Sequence, residues 1–179
     1  MPPRPNDTQK ILTHWKEAVP NDRLAHLVKD ATRALVRALQ LRLAEHQVSF
    51  GHWAFLRILW EKDGLTQREL SEQAGVMEPT TFSALKAMER LGYVVRRHEK
   101  NDRKRVYVFL TPAGRLLKHR LVPLAESVNR IAVRGVKPED VNTVRAVLLA
   151  IIDNLAKDEL AHDIRMPSTR ALSKVRARK

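Results

Sequence analysis

The amino-acid sequence predicts a mainly helical α+β chain in which one short, charged hairpin interrupts a succession of helices. Three observations carry that expectation. Leu24, Leu27, Val28, Ala31, Leu35, Ala38, Leu39 and Leu43 recur at helical spacing, with Lys29, Arg33, Arg37 and Arg42 among them. Two runs rich in β-branched and aromatic residues, 93–97 and 106–110, flank a polar, strongly charged tip at 98–105. Thr66-Gln67-Arg68-Glu69 has the form of a capping box, in which the Thr66 hydroxyl and the Glu69 carboxylate each satisfy a backbone amide of the other.

The elements follow in order. Residues 1–21 are rich in proline and polar groups and are expected to form a loose arm, with Trp15 as an apolar group able to dock on a partner subunit. The long helix starts near Asp22 and reaches about Glu45, within a segment 22–50. A second helix over 52–62 carries Trp53, Leu56, Leu59 and Trp60, and Asp63-Gly64 ends it. The capping box starts a short helix over 67–73. Ala74-Gly75-Val76 is a tight turn, and a further helix over 78–91 tolerates Pro79 in its first turn and ends at Gly92. The hairpin follows. Thr111-Pro112 opens a helix to about Arg130, in which Pro123 is expected to cause a kink. Pro138 starts a last helix to about Lys157, and 159–179 form a basic tail whose part from Ile164 onward has six Lys or Arg and no acid.

Charge narrows the function. Thirty-three Lys and Arg against twenty Asp and Glu leave a formal +13 over 179 residues, a field that attracts polyanions. The chain has no cysteine, which removes disulfides and thiolate metal sites. No run approaches the roughly 18 apolar residues that cross a bilayer, and no secretory leader stands at the N-terminus. These features lead to the expectation of a soluble cytoplasmic protein with no membrane partner. Seven histidines show no metal-ligand spacing, and there is no Gly-rich phosphate loop or serine elbow. Neither catalysis, metal nor cofactor is expected.

Helix, helix, turn, helix, strand, charged tip, strand between 51 and 113 is the order of a winged helix-turn-helix. One helix enters the major groove, another fixes its angle, and the hairpin reaches the flanking backbone. In the helix over 78–91, Thr81, Ala84, Leu85, Met88 and Leu91 form the core stripe. The opposite face carries Pro79, Thr80, Phe82, Ser83, Lys86 and Arg90, the candidate DNA contacts. Phe82 can press on a thymine methyl or pack under the wing, Thr80 and Ser83 suit bases or phosphates, and Lys86 suits a phosphate. Thr66 and Gln67 at the capping box, and Arg97, Lys100, Asp102, Arg103, Lys104 and Arg105 on the wing, complete the set. Asp102 is assigned to holding an arginine in place.

Residues 65–71, 88–94 and 102–114, the last ending Leu110-Thr111-Pro112-Ala113-Gly114, together resemble the MarR family of bacterial transcription regulators across about 24–157. The resemblance implies a homodimer in which segments 22–50 and 114–158 intertwine as a helical dimerisation lobe, while two winged lobes bind a pseudo-palindromic double-stranded operator. The apolar stripes at both ends of the chain, too wide for the lobe between them to bury, agree with that. The chain departs from the family at Lys104, which stands where the wing commonly has arginine; a forked contact then passes to Arg103 or Arg105. Met77-Glu78-Pro79 also lacks the usual Ser or Asp cap.

The resemblance further implies a repressor of a catabolic or efflux operon, released by a small aromatic carboxylate (phenolic, cinnamic or indole type) or its thioester. Trp15, His46, His52, Trp53, Arg57 and Trp60 are the candidate ligand groups, with Trp53 and Trp60 equally readable as core. The alternatives are a non-specific basic architectural nucleic-acid-binding protein without an effector, and a module that binds only proteins.

Overall fold

The computed structural model describes residues 6–17, 24–99 and 102–161, and at 99 and 102–104 the backbone alone. The described chain runs α1 (Asp7–Glu17), α2 (Leu24–Ala44), α3 (Phe50–Glu61), β1 (Leu65–Thr66), α4 (Gln67–Ala74), α5 (Glu78–Arg90), β2 (Val94–Glu99), β3 (Asp102–Leu110), α6 (Pro112–Ala132) and α7 (Pro138–Ala161). It divides into two units. Residues 1–132 hold α1 to α6 and the sheet; residues 133–179 hold α7.

Two differences from the sequence expectation stand out. The arm is not loose over its whole length, because α1 forms within it. Asn6 and Gln9 make a reciprocal cap: Gln9 N donates to Asn6 Oδ1 at 2.9 Å, and Asn6 N donates to Gln9 Oε1 at 2.8 Å. The prolines of 1–5 drew attention away from that pair. The indole of Trp15 donates to Asp30 Oδ2 of the same chain at 2.9 Å, and Asp7 pairs with Arg37 at 3.0 Å, so α1 lies along α2. The second difference is β1, two residues long, which pairs Leu65 with Val108 and Thr66 with Tyr107 and makes the sheet three-stranded, in the order β1-β3-β2. So short a strand leaves no period to read.

Both wing strands reach further than their apolar runs, pairing Val94 with Leu110 and, past an irregularity at His98, Glu99 with Asp102. A solvated ribbon needs no apolar residues there. Its base is covered by the core of the first unit, where Leu43, Leu56, Leu59, Leu65, Leu70, Leu85, Met88, Val94, Val108 and Leu121 are all but inaccessible. Pro123 lies inside α6, which continues to Ala132.

The start of α6 is held at close quarters. Thr111 Oγ1 donates to Gly92 O at 2.6 Å and accepts from Gly114 N at 3.0 Å, capping the helix as the sequence suggests. The Trp60 indole donates to Gly114 O at 2.9 Å. A Cβ on Gly114 would stand 2.1 Å from the Tyr93 carbonyl oxygen, so only glycine permits this approach. Gly114→Ala is expected to cost about 1–3 kcal/mol of unfolding free energy, as overpacking against fixed backbone does. Urea denaturation measures this, and an unchanged midpoint would contradict the contact.

Candidate nucleic-acid interface

The hydrogen bonds of the capping box fix the start of α4. Glu69 N donates to Thr66 Oγ1 at 3.2 Å, while Thr66 N and Thr66 Oγ1 donate to Glu69 Oε2 at 2.8 and 2.7 Å. These bonds hold the Glu69 carboxyl below its ordinary value. Thr66 itself is buried, with its hydroxyl committed to the cap. The Thr66 side chain thus builds the start of α4, and it lines a hollow with Gln67 and Arg105. Gln67 beside it is half-buried.

Gly75, at φ 64°, ends α4 in the left-handed region and turns the chain into α5. Met77 gives α5 no side-chain cap, and Pro79 occupies its first turn, as the sequence led us to expect. Thr81, Leu85 and Met88 are each wholly buried on one face. Ser71 Oγ of α4 donates to Thr81 Oγ1 at 2.8 Å, and Thr81 Oγ1 donates onward to Met77 O at 3.4 Å. Ala84 is half-buried, but Leu91, expected in the core, is 41% exposed because it caps the helix beyond its last packed turn.

The opposite face of α5 is open: Pro79, Thr80, Phe82, Ser83, Lys86 and Arg90 are all exposed. Ser83 Oγ donates to its own helix at Pro79 O, 3.0 Å away, leaving its lone pairs outward. On the wing, Arg97 and Arg105 are exposed, and the Arg97 guanidinium lies over the Phe109 ring at 4.0 Å. The side chains of Lys100, Asp102, Arg103 and Lys104 lie outside the described residues, as does the tail from 162. Helix face and ribbon together offer a hydrogen-bonding and cationic surface that suits a duplex.

A sequence model of the MarR family matches residues 48–106. The HTH-type transcriptional regulator TtmR of Methylorubrum extorquens (strain PA1) is 32% identical over 142 residues, which span 78% of this chain and 68% of that protein. The chain belongs to the MarR family. The homoprotocatechuate degradative operon repressor of Escherichia coli is 27% identical over 110 residues, 62% of this chain and 74% of the relative. Among solved structures, a putative MarR family transcriptional regulator from Listeria monocytogenes complexed with 26mer DNA shares the fold at a TM-score of 0.68 and 21% identity, over 82% of this chain and 99% of that one. The protein is thus a MarR-type, DNA-binding transcription regulator, and the family is one of regulators and not of enzymes. No helix among the described residues is long and apolar enough to cross a membrane.

In this MarR protein the six candidate ligand groups do not converge. Trp15 is engaged with Asp30. His46 lines a hollow with Tyr93 and Arg120, while Trp53 and Arg57 line a different one with Glu61 and Gln73. Trp53 is a core residue, edge to face with Trp60 at 5.6 Å. Burial pushes the His52 imidazole below its ordinary value, and its Nδ1 has no hydrogen-bond partner among the described residues. Of the six, Trp60 alone lines a cleft of about 640 Å³ between α3 and α6, with Arg115, Lys118 and His119.

Two groups that sequence reasoning missed organise the site. Asp63, taken only as a turn former, accepts from Leu110 N at 2.9 Å and from Gly64 N at 3.1 Å through Oδ1, and from Arg115 at 2.6 Å through Oδ2. Glu89 clamps Arg96: the Arg96 side chain donates to Glu89 Oε2 at 3.0 and 2.7 Å, and Arg96 N donates to Oε1 at 3.1 Å. The spacing of seven residues crosses a helix end and a turn, so no helical or strand period links the pair.

Hydrogen bonds from Arg96 hold the Glu89 carboxyl below its ordinary 4.5. A depressed carboxyl binds fewer protons folded than unfolded, so its contribution is present above about pH 4.5 and lost as pH falls through the folded value. Glu89→Gln is therefore expected to lower the melting temperature at pH 7 and to flatten its decline below pH 5. Parallel slopes for variant and parent across that window would count against the clamp.

Proposed function

We propose that the protein works as a homodimeric repressor that reads a pseudo-palindromic operator with α5 and flanks it with the wing, and is released by a small aromatic carboxylate. The observation that carries the reading is the division of α5 into a sealed face and an open one, since a helix fixed on one side and solvated on the other is what a major groove admits. Gln67, Pro79, Thr80, Phe82, Ser83, Lys86 and Arg90 form the helix side of that contact. Arg97 and Arg105, with Lys100, Asp102, Arg103 and Lys104 at the tip, form the wing side.

Dimerisation is favoured by apolar surface that each unit leaves open. α7 exposes Val144, Leu148, Ile152 and Leu155 along one stripe, and α2 exposes Leu24, Leu27 and Leu35. Contiguous apolar surface of this kind marks an interface, and a second copy supplies the matching stripes.

For the effector, the cleft between α3 and α6 offers Leu59, Trp60, Val122 and Pro123 as walls and Arg115 and Lys118 as cations, with His119, Glu61 and Asp63 also in its lining. Repression, and release by a catabolic ligand, are favoured by the relative named as repressor of a degradative operon. The same Arg115 that would meet the ligand is held by Asp63, which also ties down the end of β3. A carboxylate that takes Arg115 loosens the tie between α6 and the wing, and so biases the lobe between DNA-competent and incompetent arrangements.

Binding to duplexes selected from a random library is expected to fall steeply with salt, and Lys86→Ala to weaken all duplexes alike and reduce the salt slope by about 1. Equal affinity for all random duplexes would replace this reading with an architectural one. Isothermal titration with a panel of phenolic, cinnamic and indole carboxylates is expected to give a ligand whose affinity drops at least tenfold in Arg115→Ala. A panel without any binder would remove the effector.

A further inference from the structure

α5 is unusual in what it lacks. Base-edge contacts come from the N-terminal turns of a reading helix, and the planar, two-pronged contacts to adenine and guanine use Asn, Gln or Arg. The helix Glu78–Arg90 has no Asn or Gln, and its one Arg, Arg90, stands in the last turn. Its open early face instead shows apolar surface: Met77 at 61% and Phe82 at 46% exposure, with Pro79 and the Thr80 methyl between them. In the major groove the apolar feature of a base pair is the C5-methyl of thymine.

The Phe82 ring is not left to find its own place. The Arg96 guanidinium of β2 stands 5.4 Å from the ring centroid. Arg96 is in turn fixed by Glu89, two turns along the same stripe of α5 as Phe82, and its side chain is only 20% exposed. An arginine whose Nε and Nη2 both donate to one carboxylate oxygen is poorly placed to serve as a phosphate contact, because its charge is answered within the protein. Its remaining face is the one turned to the ring.

We propose that α5 discriminates its operator chiefly by thymine methyl groups, through a Phe82 ring whose position is set by the Glu89–Arg96 ion pair. Arg96 and Glu89 are then positioning residues, and the operator is methyl-rich where the first two turns of α5 lie. This rests on the reading of α5 as the groove-entering helix.

The test uses the full chain and a duplex selected by it from a random library, with each thymine of one half-site replaced in turn by deoxyuridine. That change removes the methyl and keeps every hydrogen-bonding group. The parent is expected to lose about fourfold in affinity for each methyl that α5 contacts. In Phe82→Ala, thymine and uracil become equivalent at one or two of those positions, and Phe82→Tyr restores the difference. Arg96→Lys, which keeps the charge but loses the fork, and Glu89→Gln are expected to lose the same discrimination at the same positions, with the salt slope unchanged in Arg96→Lys. Melting curves confirm that each variant is folded at the assay temperature.

A parent indifferent to uracil across the half-site overturns the methyl readout. Discrimination that survives intact in both Arg96→Lys and Glu89→Gln overturns the positioning role, as does a salt slope reduced by about 1 in the charge-removing Arg96→Ala, which would make Arg96 a phosphate contact. Failure of the underlying reading has its own signature: no duplex is enriched by selection, whichever base is altered.

Discussion

The buried hydroxyl pair between Ser71 and Thr81 is the constraint on which the interface depends. Ser71 Oγ and Thr81 Oγ1 each also meet a carbonyl of their own helix, Gln67 O at 3.0 Å and Met77 O at 3.4 Å, and the 2.8 Å contact between the two hydroxyls adds a directional tie that suits one rotation of α5 against α4. That rotation decides which residues of α5 face solvent. A hydrophobic contact of the same area would tolerate sliding, since apolar packing is non-directional. The hydrogen bond supplies the direction, and Leu85 and Met88 supply the packing around it. The outward set from Pro79 to Arg90 follows from this one pairing.

A second fixed point joins the wing to α6. The side chains of Trp60 and Asp63 from one stretch and of Thr111 from another each hydrogen-bond backbone at the junction of the hairpin with α6. Such bonds to backbone carbonyls and amides fix main-chain positions directly, whereas side-chain pairs fix only one another. The wing base is therefore held firmly, and further along the paired strands His98 Nδ1 meets Arg105 O at 3.0 Å.

The helices, their caps and the order of the winged lobe were legible in the sequence because each rests on local physics. Thr66–Glu69 and Thr111–Pro112 announce helix starts within a few residues, and the stripe of Thr81, Leu85 and Met88 announces which face is buried. What stayed hidden depends on contacts distant in sequence. Asp63 meets Leu110 and Arg115 across about fifty residues, and no local pattern marks an aspartate for that role. β1 is too short to have a period, and Asn6–Gln9 was masked by the prolines before it. That the candidate ligand residues line separate hollows was hidden for the same reason. Trp53 and Trp60 do meet, but as core neighbours, and the cations nearest Trp60 come from α6, a segment read only for its helical pattern.

On the proposed reading of α5, the net charge of +13 and the open face of that helix would divide the work of binding between two terms with different responses to salt. Phosphate contacts weaken as counterions are restored, and this loss is the same for every sequence. Apolar contact with a methyl group releases no counterion, so its contribution persists as ionic strength rises. A regulator built on both loses affinity in salt while keeping its ratio of preferred to random duplex from that contact. Neutralising Arg96 with Glu89 serves this division. It keeps a cation beside the reading ring, where its quadrupolar attraction orders Phe82, without adding another phosphate contact that would strengthen binding to every duplex equally.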